Sequence, residues 1–479
     1  MNKQSLWCLF GTVLLLCSTL FSSTAAAVQK HPNEVRGALC LVRANNQLVM
    51  VNEILTKKLS LPGGLISKGE TPKQAAQRET WEETGLAVTV GDLLGYTEKA
   101  AVFDCVSDSD IIAFGFNNRF DGYELPVWFA PHYGVEVSGA MLLSPESLLP
   151  ELYRYPQQWT VIQSMFDAAT EQSVTYVNQL ADAAPARHQV ELNWIATLQG
   201  LVAEFSPHIA SGVNALMMLG NQLAQPWIFI VIFPALYWRF GKAMCYRTMF
   251  AITLTSLLCL VAQQGFALPR PHVYVPELQM SSSFGNGFPS LPVAVWFCVV
   301  TLVLNGLDKL TFNRYTALSL ASLFWLVLAK FYLGAAFLSD MLAGILLGVL
   351  TAWHVIRLEK KPDINVDALL CSNGLWIALT IAAATLTAIW PLPVFTAWLA
   401  ILVTMTGLVV TVNQSEGQVG GRSLISMVLL LLLLNEVILY MAGFVAYSSI
   451  YSLVMEAIRF PLLILVFALS VRRLSVQSA

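Results

Sequence analysis

The sequence predicts two structural classes in one chain: a soluble α/β domain, then a polytopic all-α transmembrane domain. Three observations lead there. The 479 residues are 56% hydrophobic and only 12% charged, with a mean hydropathy of +0.62. Long apolar runs dominate from about residue 224 onward, which places that part in a bilayer. Residues 35–170, by contrast, mix β-patterned runs with polar helix signals and hold a concentrated patch of carboxylates. A net charge of −3 and a pI near 6.1 leave no basic footprint and argue against a nucleic-acid partner.

The first 27 residues carry Lys3, the apolar run "LWCLFGTVLLLCSTLF", and small residues at Ala25 and Ala27. That is the grammar of a secretory signal peptide or, if uncleaved, of a membrane anchor. Either one exports the segment behind it. Cys40 and Cys105 are then the thiols of the exported soluble part, and a disulfide between them is open. Cys245, Cys259, Cys298 and Cys371 fall in or beside apolar runs and read as small hydrophobes.

In the soluble part, "GALCLVRANNQLVMVNE" reads as two strands joined by a turn at Asn45 and Asn46. "LAVTVGDLLGYTEKA" and "DIIAFGFNNRF" add strands, and a helix follows Pro156. Residues 171–192, with Pro185 and little periodicity, read as a linker. Residues 193–222 read as an amphipathic helix lying on the membrane.

Nine apolar segments come next, near 224–238, 248–267, 291–306, 315–334, 339–357, 371–389, 391–412, 423–446 and 448–471. Basic residues occupy alternate loops: Arg239, Lys242 and Arg247; Lys309 and Arg314; Arg357, Lys360 and Lys361; Arg422; and Arg472 with Arg473. The positive-inside bias puts these on the cytoplasmic face. Nine spans that end inside begin outside, in agreement with the export signal. Glu436, Glu456 and Arg459 lie within the last two apolar segments, where a charge costs about 2.5–3.5 kcal/mol. They read as a structural ion pair or as a proton or substrate path.

The carboxylate patch lies in "PGGLISKGETPKQAAQRETWEETG", residues 62–85. Thr71 can cap a helix with Pro72 at its first position, and Gly85 can end it in a left-handed turn. On that helix Glu79, Glu82 and Glu83 share one face. Crowded carboxylates repel unless a cation neutralises them, and hard oxygen ligands suit Mg²⁺ or Mn²⁺. The stretch fits G-x5-E-x7-R-E-x-x-E-E-x-G without a gap. It resembles the Nudix box, and its surroundings resemble a Nudix hydrolase domain.

The resemblance implies a mixed sheet sandwiched by helices over residues 35–170. It implies that Glu79, Glu82 and Glu83 hold the metal, that the Gly64 backbone approaches it, and that Arg78 and Glu70 brace the loop by pairing, with Gly85 closing the motif. The implied reaction is attack of water on a diphosphate linkage. Thr80 stands where the family usually has an aliphatic residue, and the general base is not given by the motif.

Residues 255–350 resemble the core of the type-2 phosphatidic acid phosphatases, whose motifs are K-x6-R-P, P-S-G-H and S-R-x5-H-x3-D. Arg270 and Pro271 stand, with Gln263 for the lysine. Pro289 and Ser290 stand, followed by Leu291 and Pro292 in place of Gly-His. Lys330 replaces the arginine, Ala336 the nucleophilic histidine, and Asp340 is intact. Neither alanine nor proline can form a phosphohistidine or protonate a leaving group. Arg270, Ser290, Lys330 and Asp340 remain as a possible phosphate-binding remnant.

The domain plan is therefore a signal or anchor (1–27), the Nudix domain (35–170), a linker (171–192), the phosphatase-like membrane domain (193–360) and additional transmembrane helices (361–479). The expected function is metal-dependent hydrolysis of a diphosphate-containing small molecule or lipid on the periplasmic side of a bacterial inner membrane. The alternatives are an active lipid phosphatase and a non-catalytic lipid-binding or transport-like module.

Overall fold

The computed structural model describes residues 35–363, 365–411 and 420–477, so the expected signal or anchor lies outside the described residues. The N-terminal domain opens with β1 (Gly37–Leu41), β2 (Arg43–Ala44), β3 (Gln47–Glu53), β4 (Leu59–Ser60) and β5 (Gly63–Leu65). Then come α1 (Pro72–Thr84), β6 (Val88–Tyr96), β7 (Ala100–Ser107), β8 (Ile111–Phe114), β9 (Tyr123–Leu125) and β10 (Val137–Leu143). The helix α2 (Trp159–Phe166) and the strands β11 (Glu171–Gln172) and β12 (Val174–Val177) complete it.

One sheet runs β5-β1-β7-β6, with β1 and β7 parallel and the other pairs antiparallel. A second runs β11-β2-β3-β10-β9, with β4 on β3. Asn45 and Asn46 both have positive φ, 50° and 57°, the two-residue hairpin conformation that Asn tolerates. Successive strand residues face opposite sides. Ala38 and Cys40 pack with Ala75 and Ala76 of α1, while Leu41, Leu48 and Met50 pack with Trp159 and Ile162 of α2. The mixed sheet is thus sandwiched by helices. Cys40 and Cys105, both fully buried, are joined as a disulfide.

The expected linker is partly structured. Glu171–Gln172 pairs with Arg43–Ala44, and Val174–Val177 runs parallel to β8, so this chain segment still belongs to the sheets. Local periodicity could not show this, because each strand is short and its partner is more than sixty residues away.

The rest is helical: α3 (Ala186–Ala203), α4 (Pro207–Gln222), α5 (Phe229–Phe266), α6 (Leu291–Gly306), α7 (Arg314–Tyr332), α8 (Leu338–Glu359), α9 (Val366–Leu370), α10 (Asn373–Ile389), α11 (Pro393–Thr411), α12 (Gly421–Phe444) and α13 (Ser449–Gln477). Among the described residues six helices are long and apolar enough to cross a membrane, and α6 and α10 are shorter apolar helices. The first two predicted segments form the single element α5, interrupted at Gly241 with φ 76°. Cys245 Sγ lies 3.6 Å from the Phe233 carbonyl oxygen. In a straight helix residues twelve apart are about 18 Å apart, so the two arms fold back on each other as a hairpin.

The predicted amphipathic helix over 193–222 is two helices, broken where Pro207 starts α4. Each packs one face on the helices that follow and leaves large apolar side chains exposed, Trp194 and Leu201 on α3 and Ile209 and Leu219 on α4. Leu192 and Ile195 of α3 pack against Tyr274, Leu278 and Phe337, and Trp325 Nε1 of α7 donates to the Leu216 carbonyl of α4.

Helix ends alternate between two faces. Arg247 pairs with Glu359 at 2.7 Å on one of them. The N-terminal domain sits on the other, where Arg154 donates to Glu53 at 2.9 Å, to the Tyr447 carbonyl at 3.0 Å and to Ser449 Oγ at 2.9 Å. Trp128 packs on Tyr274 with ring centroids 5.5 Å apart. Gly344 and Gly348 of α8 face the Ser290 and Ala294 carbonyls, and the missing side chains let α6 approach closely.

Candidate functional sites

The first site is built on α1. Thr71 Oγ1 accepts from the Gln74 N–H while the Gln74 side chain accepts from the Thr71 N–H, Pro72 takes the first helical position, and Gly85 closes the helix at φ 72°. The caps fix the helix and hence the direction of its glutamates. Thr80, the departure from the family pattern, is fully buried and donates to the Ala76 carbonyl at 2.7 Å, which satisfies its hydroxyl inside the helix.

The carboxylates divide into three environments. Glu70 accepts from Arg78 at 2.9 and 3.1 Å and also from the Ser67 N–H. The Arg78 hydrogen bond, helped by Ser67, holds the Glu70 carboxyl below its usual range. Arg78 also reaches Glu79 and Glu82 at 2.9 and 2.8 Å, and these partners, Glu70 first, hold its guanidinium firmly protonated. Glu83 is buried and accepts from the Gly63 N–H at 2.9 Å. Burial pushes its carboxyl well above the ordinary range in spite of that bond. Burial also raises Glu79, partly offset by Arg78.

The structure brings Glu79 and Glu82 together with His132, each offering a ligand atom within 4.8 Å of the others. His132 Nε2 is 3.8 Å from Glu82 and Nδ1 is 3.7 Å from Glu136, both too long for hydrogen bonds. This set of two carboxylates and an imidazole fits a divalent cation; the ring nitrogen that lacks a hydrogen-bond partner, Nδ1, lies on the Glu136 side. Glu83 stands outside the trio. Its hydrogen bond fixes the glycine turn, and a Cβ on neighbouring Gly64 would overlap the Glu79 carboxylate.

The sequence reading missed His132, which lies about fifty residues beyond the helix. Its N–H donates to the Glu82 carbonyl at 2.7 Å, seating the loop on the end of α1. One signal could have found it: it is the sole histidine between residues 35 and 170.

The second site gathers the ends of α5 to α8. The Ser290 N–H donates to the Asp340 carbonyl, and Gly287 brings backbone against Asp340 and Arg270. Arg270 spends its donors on backbone carbonyls, those of Phe284 at 2.9 Å, Ala335 at 2.8 Å and Asn286 at 3.2 Å. Gln263 donates to the Pro289 carbonyl. Ser290, Lys330 and Asp340 are buried, with Ser290 Oγ and Asp340 Oδ1 lacking hydrogen-bond partners.

Helix α3 closes over this site. Glu191 accepts from the Leu338 and Ser339 N–H groups at the start of α8, His188 stacks on Phe337 at 3.9 Å, and Arg187 lies over the Phe288 ring. The carboxylate thus takes the positive end of a helix that would otherwise attract an anion. Both Glu191 and His188 come from the segment read as linker.

Family models match the NUDIX domain at residues 33–165 and the PAP2 superfamily at residues 244–363. The chain carries a NUDIX domain and a PAP2 domain. A "MutT-like protein" of Streptomyces ambofaciens is 35% identical over 81 residues, 16% of this chain and 51% of that protein. The match therefore spans about half of the relative's length. Among solved structures, Aquifex aeolicus LpxE is 18% identical over 35% of this chain and 95% of its own, with a TM-score of 0.30. A NUDIX hydrolase from Nitrosomonas europaea is 14% identical over 32% of this chain and 84% of its own, with a TM-score of 0.21.

Proposed function

We propose that the NUDIX domain is a metal-dependent hydrolase of diphosphate linkages, held on the outer face of a bacterial inner membrane by a PAP2-type domain that no longer catalyses. The trio Glu79, Glu82 and His132 carries the reading. Bound Mg²⁺ or Mn²⁺ would supply charge neutralisation at the phosphoryl oxygens. Glu79 and Glu82 would hold it, joined by His132. Glu83 keeps the Gly63–Gly64 turn against the site, and Arg78, braced by Glu70, keeps Glu79 and Glu82 oriented.

Two features support the outer face. The buried Cys40–Cys105 disulfide belongs in an oxidising compartment. The basic residues fall in alternate loops, Arg247 and Arg357 among them, which the positive-inside bias puts on the cytoplasmic side. The loss of PAP2 catalysis rests on Ala336 and Pro292 at the histidine positions and on Glu191 at the head of α8.

The test is the full-length protein in detergent, assayed with Mg²⁺ against soluble and lipid-linked diphosphates. Release of a monophosphate product that stops in EDTA is expected. Absence of turnover on every diphosphate would remove the hydrolase assignment.

A further inference from the structure

The loop between β9 and β10 serves both domains. Its His132 belongs to the metal trio, and residues on either side of His132 touch the membrane domain. Trp128 packs on Tyr274, and Val135 packs against the apolar cluster that α5 forms with α10 and α11. Between them Gly134 meets Gly285, in the stretch that joins α5 to α6. A Cβ on Gly134 would lie 2.8 Å from the Gly285 Cα, so the two backbones touch with no side chain between them. Both glycines are left-handed, at φ 75° and 67°, a conformation that costs glycine little.

His132 has little freedom of its own. Its N–H donates to the Glu82 carbonyl at 2.7 Å, and its carbonyl accepts from the Val135, Glu136 and Val137 N–H groups at 3.0, 3.0 and 3.2 Å. The imidazole is therefore carried by a tight turn that includes Gly134, and that turn rests on Gly285.

Gly285 is held in turn by Arg270. The guanidinium donates to the carbonyls on either side of it, Phe284 at 2.9 Å and Asn286 at 3.2 Å, and to Ala335 at 2.8 Å ahead of α8. A planar fork of donors fixes these carbonyls in one geometry. The Arg270 charge also bears on the phenol of Tyr133, next in sequence to His132. A chain of contacts thus runs from Arg270 through Gly285 and Gly134 to His132.

We propose that the PAP2 domain completes the NUDIX metal site: Arg270, as a positioning residue, holds the 284–286 loop against Gly134 and so fixes the His132 turn. The role of His132 rests on the metal-dependent reading above; the chain of contacts does not. By linkage the effect is reciprocal, and a cation that fixes His132 also steadies the 284–286 loop.

The full-length protein in detergent is titrated with Mn²⁺ without substrate, and bound metal is read by electron paramagnetic resonance. The site followed is the one that disappears in Glu82→Gln. Loss of a positive charge near a cation site would by itself tighten binding, so a weakening reports position rather than charge. Arg270→Ala is expected to weaken Mn²⁺ about tenfold, as for other groups that orient a metal ligand. Arg270→Lys, which keeps the charge and loses the fork, is expected to weaken it too. Gly134→Asn tolerates the positive φ and is expected to do the same by pushing the two loops apart. Unchanged or tighter Mn²⁺ in Arg270→Ala and Gly134→Asn would overturn the proposal.

Hydrogen–deuterium exchange of the unaltered protein gives the answer if the variants misfold. Mg²⁺ is expected to slow exchange in peptides covering 128–137 and 284–287 together, and protection confined to the first contradicts the proposal. Weakened Mn²⁺ in the variants of a protein that hydrolyses no diphosphate upholds the coupling and removes the hydrolase reading. Mg²⁺-dependent hydrolysis with a Mn²⁺ affinity indifferent to Arg270 does the reverse.

Discussion

Two regions of this chain carry motifs of phosphate chemistry, and the same question separates them: where do the charged groups spend their hydrogen bonds? In the NUDIX domain Arg78 binds side-chain carboxylates, and Glu79, Glu82 and His132 converge, each with a ligand atom within 4.8 Å of the others. In the PAP2 domain Arg270 serves three backbone carbonyls, and Glu191 from α3 already occupies the head of α8. One set of groups converges on a place where a cation fits; in the other, Arg270 and Glu191 are spent on backbone while Ser290 Oγ and Asp340 Oδ1 stay without partners. A motif residue is therefore a poor guide to chemistry until its partners are known.

The proposed topology puts both sites on the outer face, and that is open to an all-or-none test. A reporter active only outside the cytoplasm should be active when fused after residue 175 and silent after residue 361 or 474. Silence at 175 would move both sites to the cytoplasm.

Next in size is the metal cluster. Glu82→Gln should lower diphosphate hydrolysis by at least about 100-fold, the upper range seen even for groups one step removed from a metal. Glu83→Ala, which removes the acceptor for the Gly63 N–H, should lower it as well through release of that turn, with folding largely kept as judged by circular dichroism. Parental rates for both would erase the contrast between the two regions.

The appended helices sharpen it further. The sequence leads one to expect Arg459 paired with Glu436 or Glu456, but it bonds Asn435 Oδ1, and Asn435 Nδ2 in turn bonds Glu436 at 3.0 Å. Arg459→Leu strands the buried Asn435 oxygen and should destabilise the membrane domain by about 1–3 kcal/mol. Thermal melting in detergent should show the loss and a partial recovery with Glu436→Gln. An unchanged melt together with lost cellular function would make the arginine a working group.

The smallest expected effect is on pH dependence. Burial raises Glu79 and Glu83 above the ordinary 4.5, so the folded protein binds protons more tightly than the unfolded chain. In EDTA their contribution to stability is full below about pH 4.5 and is lost as pH rises through their folded values. Mg²⁺ should recover stability at neutral pH, by a few degrees of melting temperature. A melt in EDTA that rises with pH above 4.5, unaffected by Mg²⁺, would contradict the buried-cluster account.

Much of the NUDIX site is legible in the sequence. Thr71, Pro72 and Gly85 announce both ends of α1, because caps act through neighbouring backbone groups. The spacing of Glu79, Glu82 and Glu83 gives a helix face for the same reason. His132 and Glu191 are not legible as site residues, since their partners lie about fifty and one hundred and fifty residues away. Nor is the hairpin at Gly241, where one positive φ reverses a helix inside an unbroken apolar pattern. Local chemistry shows in the sequence, whereas closure of one element over another does not.

The most direct measurement compares the two halves inside one full-length protein. Phosphate or phosphomonoester release from a lipid diphosphate is followed with Mg²⁺ and with EDTA, in the parent, in Glu82→Gln and in Asp340→Asn. The account predicts activity that EDTA and Glu82→Gln abolish and that Asp340→Asn leaves within about twofold. Metal-independent release that survives Glu82→Gln and disappears in Asp340→Asn would make the PAP2 domain the enzyme and contradict the account.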